Sequence, residues 1–130
     1  MRILLDTNAF AAFGRKATSV MSIVGRCDDI LMSTVVLGEL KHGFFGGNRE
    51  KDNLAFLNQF LKEHAVSIID VTAVTADRYG RIAASLKEKG TPIPANDTWI
   101  AAQTFETGAE LITYDKHFAC VPGLVYTIPE

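Results

Sequence analysis

Five short apolar runs recur near residues 2–5, 30–33, 66–69, 110–113 and 124–127, and most of them are separated by helical patterns of about 10 to 18 residues. Strands joined by crossovers of that length pair in parallel, because a parallel neighbour can be reached only by carrying the chain back along the sheet. The alternation therefore predicts an α/β domain in three layers, with a mainly parallel sheet of about five strands flanked by helices. Helical patterns cover 8–13, 18–27, 34–45, 49–64 and 72–89, and another begins near Asn96. Gly46-Gly47-Asn48 breaks the chain between two of them, which predicts a helical hairpin over 34–64. In 72–89, Val74, Tyr79, Ile82, Ala83 and Leu86 form one apolar stripe that stops at Gly90, a C-terminal cap. Ser33 and Asp70 are expected to cap the helices that follow them.

The same reading locates four acids at the junctions. Arg2-Ile3-Leu4-Leu5 stops at Asp6-Thr7-Asn8, and Leu111-Ile112-Thr113-Tyr114 stops at Asp115. Thr91-Pro92-Ile93-Pro94 cannot continue a helix, so Asp97 falls in the first turn of a new one. Glu39 lies about one and a half turns into the helix after Ser33, among Val35, Val36, Leu40 and Gly43. A carboxylate on such an apolar face is costly unless it is paired. In a parallel sheet, ligands collect beyond the carboxyl ends of the strands, where Asp6, Asp97 and Asp115 are expected, and Glu39 joins them if its helix leans over the cleft.

Acids packed that closely repel unless a cation lies between them. Oxygen donors without His or Cys favour Mg²⁺ or Mn²⁺, and water on such an ion can attack phosphorus in line. Asp6 and Asp97 are the expected metal ligands, and Asn8 and Thr113 are placed to orient the water or a ligand carboxylate. Each acid also has an ordinary explanation. Asp6 and Asp115 can serve as helix caps, Asp97 can complement the helix dipole, and Glu39 can reach solvent from the helix edge. Independent caps, however, have no reason to gather at one edge.

At 130 residues, 48% hydrophobic and 22% charged, the chain reads as one soluble domain spanning 1–130. The first apolar run is too short for a signal peptide and no segment is long enough to span a bilayer, so a cytoplasmic location is expected. A formal charge of −2 argues against a broad basic nucleic-acid surface, though not against a phosphodiester held through metal ions. Arg15-Lys16, Lys41-His42, Arg78 with Arg81, and Lys116-His117 read as solvated faces. Cys27 and Cys120 are expected as small buried hydrophobes. His64 reads as a surface residue at a helix end, and His42 and His117 as surface or supporting residues. Trp99 and the phenylalanines, including Phe44, Phe45, Phe56, Phe60 and Phe118, are expected in the core, with Phe10 and Phe13 as an alternative partner interface.

Four blocks together resemble the PIN-domain ribonucleases, and within them the VapC-type toxins of bacterial toxin–antitoxin pairs. They are Ile3-Leu4-Leu5-Asp6-Thr7-Asn8, Ser33-Thr34-Val35-Val36-Leu37-Gly38-Glu39-Leu40 with Gly43, Ile93-Pro94-Ala95-Asn96-Asp97-Thr98-Trp99-Ile100-Ala101-Ala102, and Leu111-Ile112-Thr113-Tyr114-Asp115-Lys116-His117-Phe118. The resemblance implies a PIN-like fold and a Mg²⁺- or Mn²⁺-dependent endoribonuclease with Asp6, Glu39, Asp97 and Asp115 as its catalytic acids. It also implies an RNA substrate, a homodimer and a cognate antitoxin that blocks the cleft. Many relatives carry a further acid after the last Asp. Lys116 to Val121 contain none, which leaves a one-metal mechanism open.

Three other readings compete. A Mg²⁺-binding phosphoacceptor module of similar layering would use Asp70 after the third strand and Lys116 after the fourth, but it wants an acidic neighbour for Asp6. A dehalogenase-like phosphatase needs an Asp where Asn8 stands. The third possibility is a catalytically silent binding domain whose acids are only caps.

Overall fold

Consecutive strand residues face opposite sides of a sheet, and Ile3, Leu4 and Leu5 are all fully buried. The strand they form, β1 (Arg2–Leu5), is therefore covered on both faces, as the continuous apolar run requires. The computed structural model describes residues 1–130. Its other strands are β2 (Asp29–Ser33), β3 (Ser67–Ile69), β4 (Glu110–Ile112) and β5 (Tyr126–Thr127). They form one sheet in the order β3-β2-β1-β4-β5, and every neighbouring pair is parallel.

The helices are α1 (Thr7–Gly14), α2 (Thr18–Arg26), α3 (Thr34–Phe45), α4 (Glu50–Glu63), α5 (Ala73–Glu88) and α6 (Ala95–Thr107), with a 3-10 turn, η1, at Lys116–Cys120. The α/β alternation, the α3–α4 hairpin and the Ser33 cap on Val35 N–H agree with the sequence reading. Gly90 and Gly108 close α5 and α6 with φ of +73° and +69°, a conformation that favours glycine. α6 is buried on most sides, and its Ala101 and Ala102 keep it close to the sheet. Thr75 Oγ1 donates to Glu106 Oε1 at 2.7 Å, which ties the start of α5 to the end of α6.

Several expectations change. The α5 stripe does not begin at Val74, which is 59% exposed, and Thr75 is the residue buried there because its hydroxyl serves the cap and Glu106. Thr72, not Asp70, caps α5, in a reciprocal capping box with Thr75. β3 is an edge strand, so Ile68 faces solvent instead of a second layer. Cys120 is exposed and Cys27 only partly covered, because both lie where a helical segment ends at the surface. Phe118 and Phe60 are core, whereas Phe45 and Phe56 are exposed on the α3–α4 hairpin, and Trp99 is half-buried with its ring stacked on Tyr79. Phe10 and Phe13 pack against Phe56 and Phe60, and so take structural roles in the same cluster. His64, at the C-terminal end of α4 as expected, is half-buried against Phe13 and Phe60.

Candidate metal centre

Parallel pairing fixes the two strand-end acids. Asp6 N–H donates to Ile112 O at 3.0 Å, extending the β1–β4 ladder one residue beyond β1. Thr113 N–H donates to Thr127 O at 3.1 Å, extending β4–β5 in the same way. The backbone thus delivers Asp6 and Asp115 to adjacent strand ends.

Asp6 is 4% exposed. Its Oδ1 accepts from Thr7 N–H at 2.8 Å, and its Oδ2 from the Thr113 hydroxyl at 2.7 Å. Burial pushes its pKa up from 3.8 to about 6. The two hydrogen bonds oppose that shift, while the charges of Asp97 and Glu39 add to it. Asp97, in the first turn of α6, is also held above the usual carboxylate range, mainly by burial. The charges of Asp115 and Glu39 add to the shift, and His117 opposes it. These mutual influences tie all four acids to one place, although they come from β1, α3, α6 and the end of β4.

Glu39 does not extend freely to solvent. Oε1 accepts from Thr7 Oγ1 at 2.8 Å and Oε2 from Asn96 Nδ2 at 3.4 Å, so donors on α1 and α6 hold its carboxylate over the site. Asp115 caps η1, accepting from His117 N–H at 2.9 Å, and its own N–H donates to Thr113 Oγ1 at 3.0 Å. The Thr113 hydroxyl thus bonds both the Asp6 carboxylate and the Asp115 backbone. Asn8 Oδ1 accepts from Tyr114 N–H at 3.0 Å and pins the β4 turn to α1.

The tightest cluster contains a residue that the sequence reading set aside. Ligand atoms of Asp97, Asp115 and His117 lie within 4.8 Å of one another. His117 Nδ1 is 3.2 Å from Asp97 Oδ2 and 3.0 Å from Asp115 Oδ1. The bond to Asp97, followed by the charge of Asp115, raises the imidazole pKa. Asp6 and Glu39 lie outside this trio but within reach of its charge. His117, Thr7 and Asn96 were legible only as sequence neighbours of Asp115, Asp6 and Asp97. His42 is exposed.

Two competing readings lose ground on this geometry. Asp70 follows β3, which β2 separates from β1, so it cannot form a pocket with Asp6 at neighbouring strand ends. Asp6 and Asp115 are caps, yet they also converge, which capping alone does not require. None of the three roomiest grooves, of about 460, 400 and 320 Å³, is lined by the four acids.

The family model described as PIN domain matches residues 3–124. Ribonuclease VapC2 of Rickettsia felis is 30% identical over 130 residues, covering 96% of each chain. Ribonuclease VapC1 of Haemophilus influenzae is 31% identical over 98 residues, covering 75% of this chain and 72% of that protein. Among solved structures, VapBC2 of Rickettsia felis bound to a DNA fragment from its promoter superposes with a TM-score of 0.88 at 28% identity, covering all of both chains. VapBC-1 of nontypeable Haemophilus influenzae gives 0.85 at 26%, covering 98% of this chain and 97% of that one.

Proposed function

The chain belongs to the PIN-domain family, among its VapC-type ribonucleases, and from that premise we propose that Asp6, Glu39, Asp97 and Asp115 are the catalytic acids of a metal-dependent endoribonuclease. The protein is the toxin of a toxin–antitoxin pair, with RNA as substrate and an antitoxin as partner. It acts as one domain over 1–130, in the cytoplasm and as a homodimer. No helix is long and apolar enough to cross a membrane.

One observation supports the site assignment above the rest. Acids from four elements crowd together closely enough that burial and mutual repulsion raise Asp6 and Asp97, and a single imidazole is the only basic side chain at hydrogen-bonding distance from any of them. Such a set fits a divalent ion of the Mg²⁺ or Mn²⁺ type held by Asp6 and Asp97, with Asp115 clustered beside Asp97 at the same centre. When bound, the ion supplies an acidified water for in-line attack on phosphorus and positive charge for the leaving oxygen. Thr113 donates to Asp6 Oδ2 and Thr7 to Glu39 Oε1, and Asn96 donates to the second Glu39 oxygen, so both carboxylates are held in place.

Purified protein incubated with end-labelled RNA and Mg²⁺ or Mn²⁺ is expected to cut internally, and EDTA is expected to stop it. Asp97→Asn should remove cleavage while circular dichroism stays native. Undiminished cleavage by that variant would refute the assignment.

A further inference from the structure

His117 stands apart from the acid quartet in chemistry but not in place. It follows Asp115 in the η1 turn, and its N–H donates to the Asp115 carboxylate, so the acid it flanks fixes its backbone. Its ring then presents Nδ1 to Asp97 and Asp115 together, at 3.2 and 3.0 Å. Neighbouring donors on an octahedral ion with bonds of about 2.1 Å are separated by roughly 3 Å, so these spacings suit ligands of one ion. The ring is about half exposed, which leaves the solvent side of the trio open to water and substrate.

We infer that His117 is a nitrogen ligand in the metal site, completing a set with Asp97 and Asp115 and biasing this nuclease away from Mg²⁺ toward Mn²⁺ and the later first-row divalent ions. The inference rests on the metal-dependent reading of the site. Mg²⁺ favours oxygen donors and gains little from an imidazole, whereas first-row transition ions bind nitrogen increasingly well along their series. The alternative is that the protonated ring only stands in for a cation between the two carboxylates and leaves when an ion arrives. Geometry alone accommodates that, but then the nitrogen would not touch the ion.

The test uses the whole chain with Mn²⁺ alone as probe. Pulsed electron paramagnetic resonance should detect nitrogen coupled to the bound Mn²⁺ in the wild-type protein. That coupling should vanish in both His117→Asp and His117→Gln, with circular dichroism confirming that each variant is folded. Calorimetry with Mn²⁺ and then Mg²⁺ should show the preference for Mn²⁺ falling roughly tenfold or more in His117→Asp. Bound Mn²⁺ without nitrogen coupling, or coupling that persists in both variants, would overturn the ligand role and leave the nuclease reading standing. Failure of the wild-type protein to take up either ion would bring down both.

Discussion

The β1–α1 turn and the β4–η1 turn are built on the same local plan, yet they hold their acids in different states. In each, an apolar strand stops at an Asp whose side chain accepts a backbone N–H of the following helical segment, from Thr7 in one case and His117 in the other. β1 lies at the centre of the sheet, and Asp6 is sealed to 4% exposure with only neutral donors, Thr7 N–H and the Thr113 hydroxyl. β4 lies one strand from the edge, and the Asp115 side chain keeps 27% of its surface beside the His117 imidazole. A local motif fixes the cap, whereas position in the sheet decides how much the charge costs.

The largest effect should come from neutralising each acid in turn. Asp6→Asn removes the one buried charge that nothing else in its turn can replace, and cleavage should fall by about a thousandfold. Asp115→Asn leaves Asp97 and His117 in the same cluster, so the fall should be nearer tenfold to a hundredfold. Single-turnover cleavage of one labelled RNA measures both, and equal losses would mean that burial does not separate the two turns.

The next largest effect is on stability in the metal-free state. Asp6 has a folded pKa near 6, above its unfolded value of 3.8, so the native protein holds the proton more tightly. Stability is therefore lost as pH rises from about 4 through about 6, by about 3 kcal/mol at most. Asp97 shifts in the same direction. His117, also raised, contributes stability below about pH 6.5 that disappears as pH climbs through its folded pKa. Guanidinium unfolding in EDTA at a series of pH values should show Asp6→Asn gaining on the wild-type protein between pH 4 and 7.5. A difference that stays flat with pH would remove Asp6 as the source.

These contrasts also mark how far the residues alone could be read. β1 and β4, the acids that end them and the helix that starts after Pro94 were legible, because apolar runs, prolines and caps are local signals. The convergence of Glu39 was legible only as a condition, since it depends on how α3 leans, and the structure meets it through Thr7 and Asn96. The role of His117 was hidden. Nothing in Lys116-His117-Phe118 reveals that the first turn of α6 lies opposite, and a sequence rule seeking paired histidines passes over a single one flanked by carboxylates. Asp70 misled for the opposite reason: its local fitness as a cap was real, but Thr72 and Thr75 formed a better, reciprocal one.

Thr113 joins the two turns, which makes it the sharper probe of their coupling. Its hydroxyl donates to Asp6 and accepts from Asp115 N–H, so Thr113→Val strips a bond from the buried carboxylate and leaves a backbone donor unpaired. A loss of about 1–3 kcal/mol is expected, larger at pH 8 than at pH 5, because the ionised form of Asp6 depends on that hydroxyl more than the neutral form does. Thermal unfolding at the two pH values measures it. An equal loss at both would mean that Thr113 contributes packing and no support to the charge.

The smallest effect should come from Asn8, whose side chain links the turns by accepting from the Tyr114 backbone. Asn8→Ala leaves Tyr114 N–H without its side-chain acceptor and should cost about 1 kcal/mol. Because the bond ends one residue before Asp115, loosening it lets that acid drift while Asp6, held by the β1–β4 ladder and Thr113, stays in place. Cleavage should then fall only a few-fold, with faster amide exchange at Tyr114 and Asp115 and unchanged exchange at Asp6 and Thr7. Faster exchange in both turns would show that they move as one unit, and the division between a rigid central acid and an adjustable peripheral one would not stand.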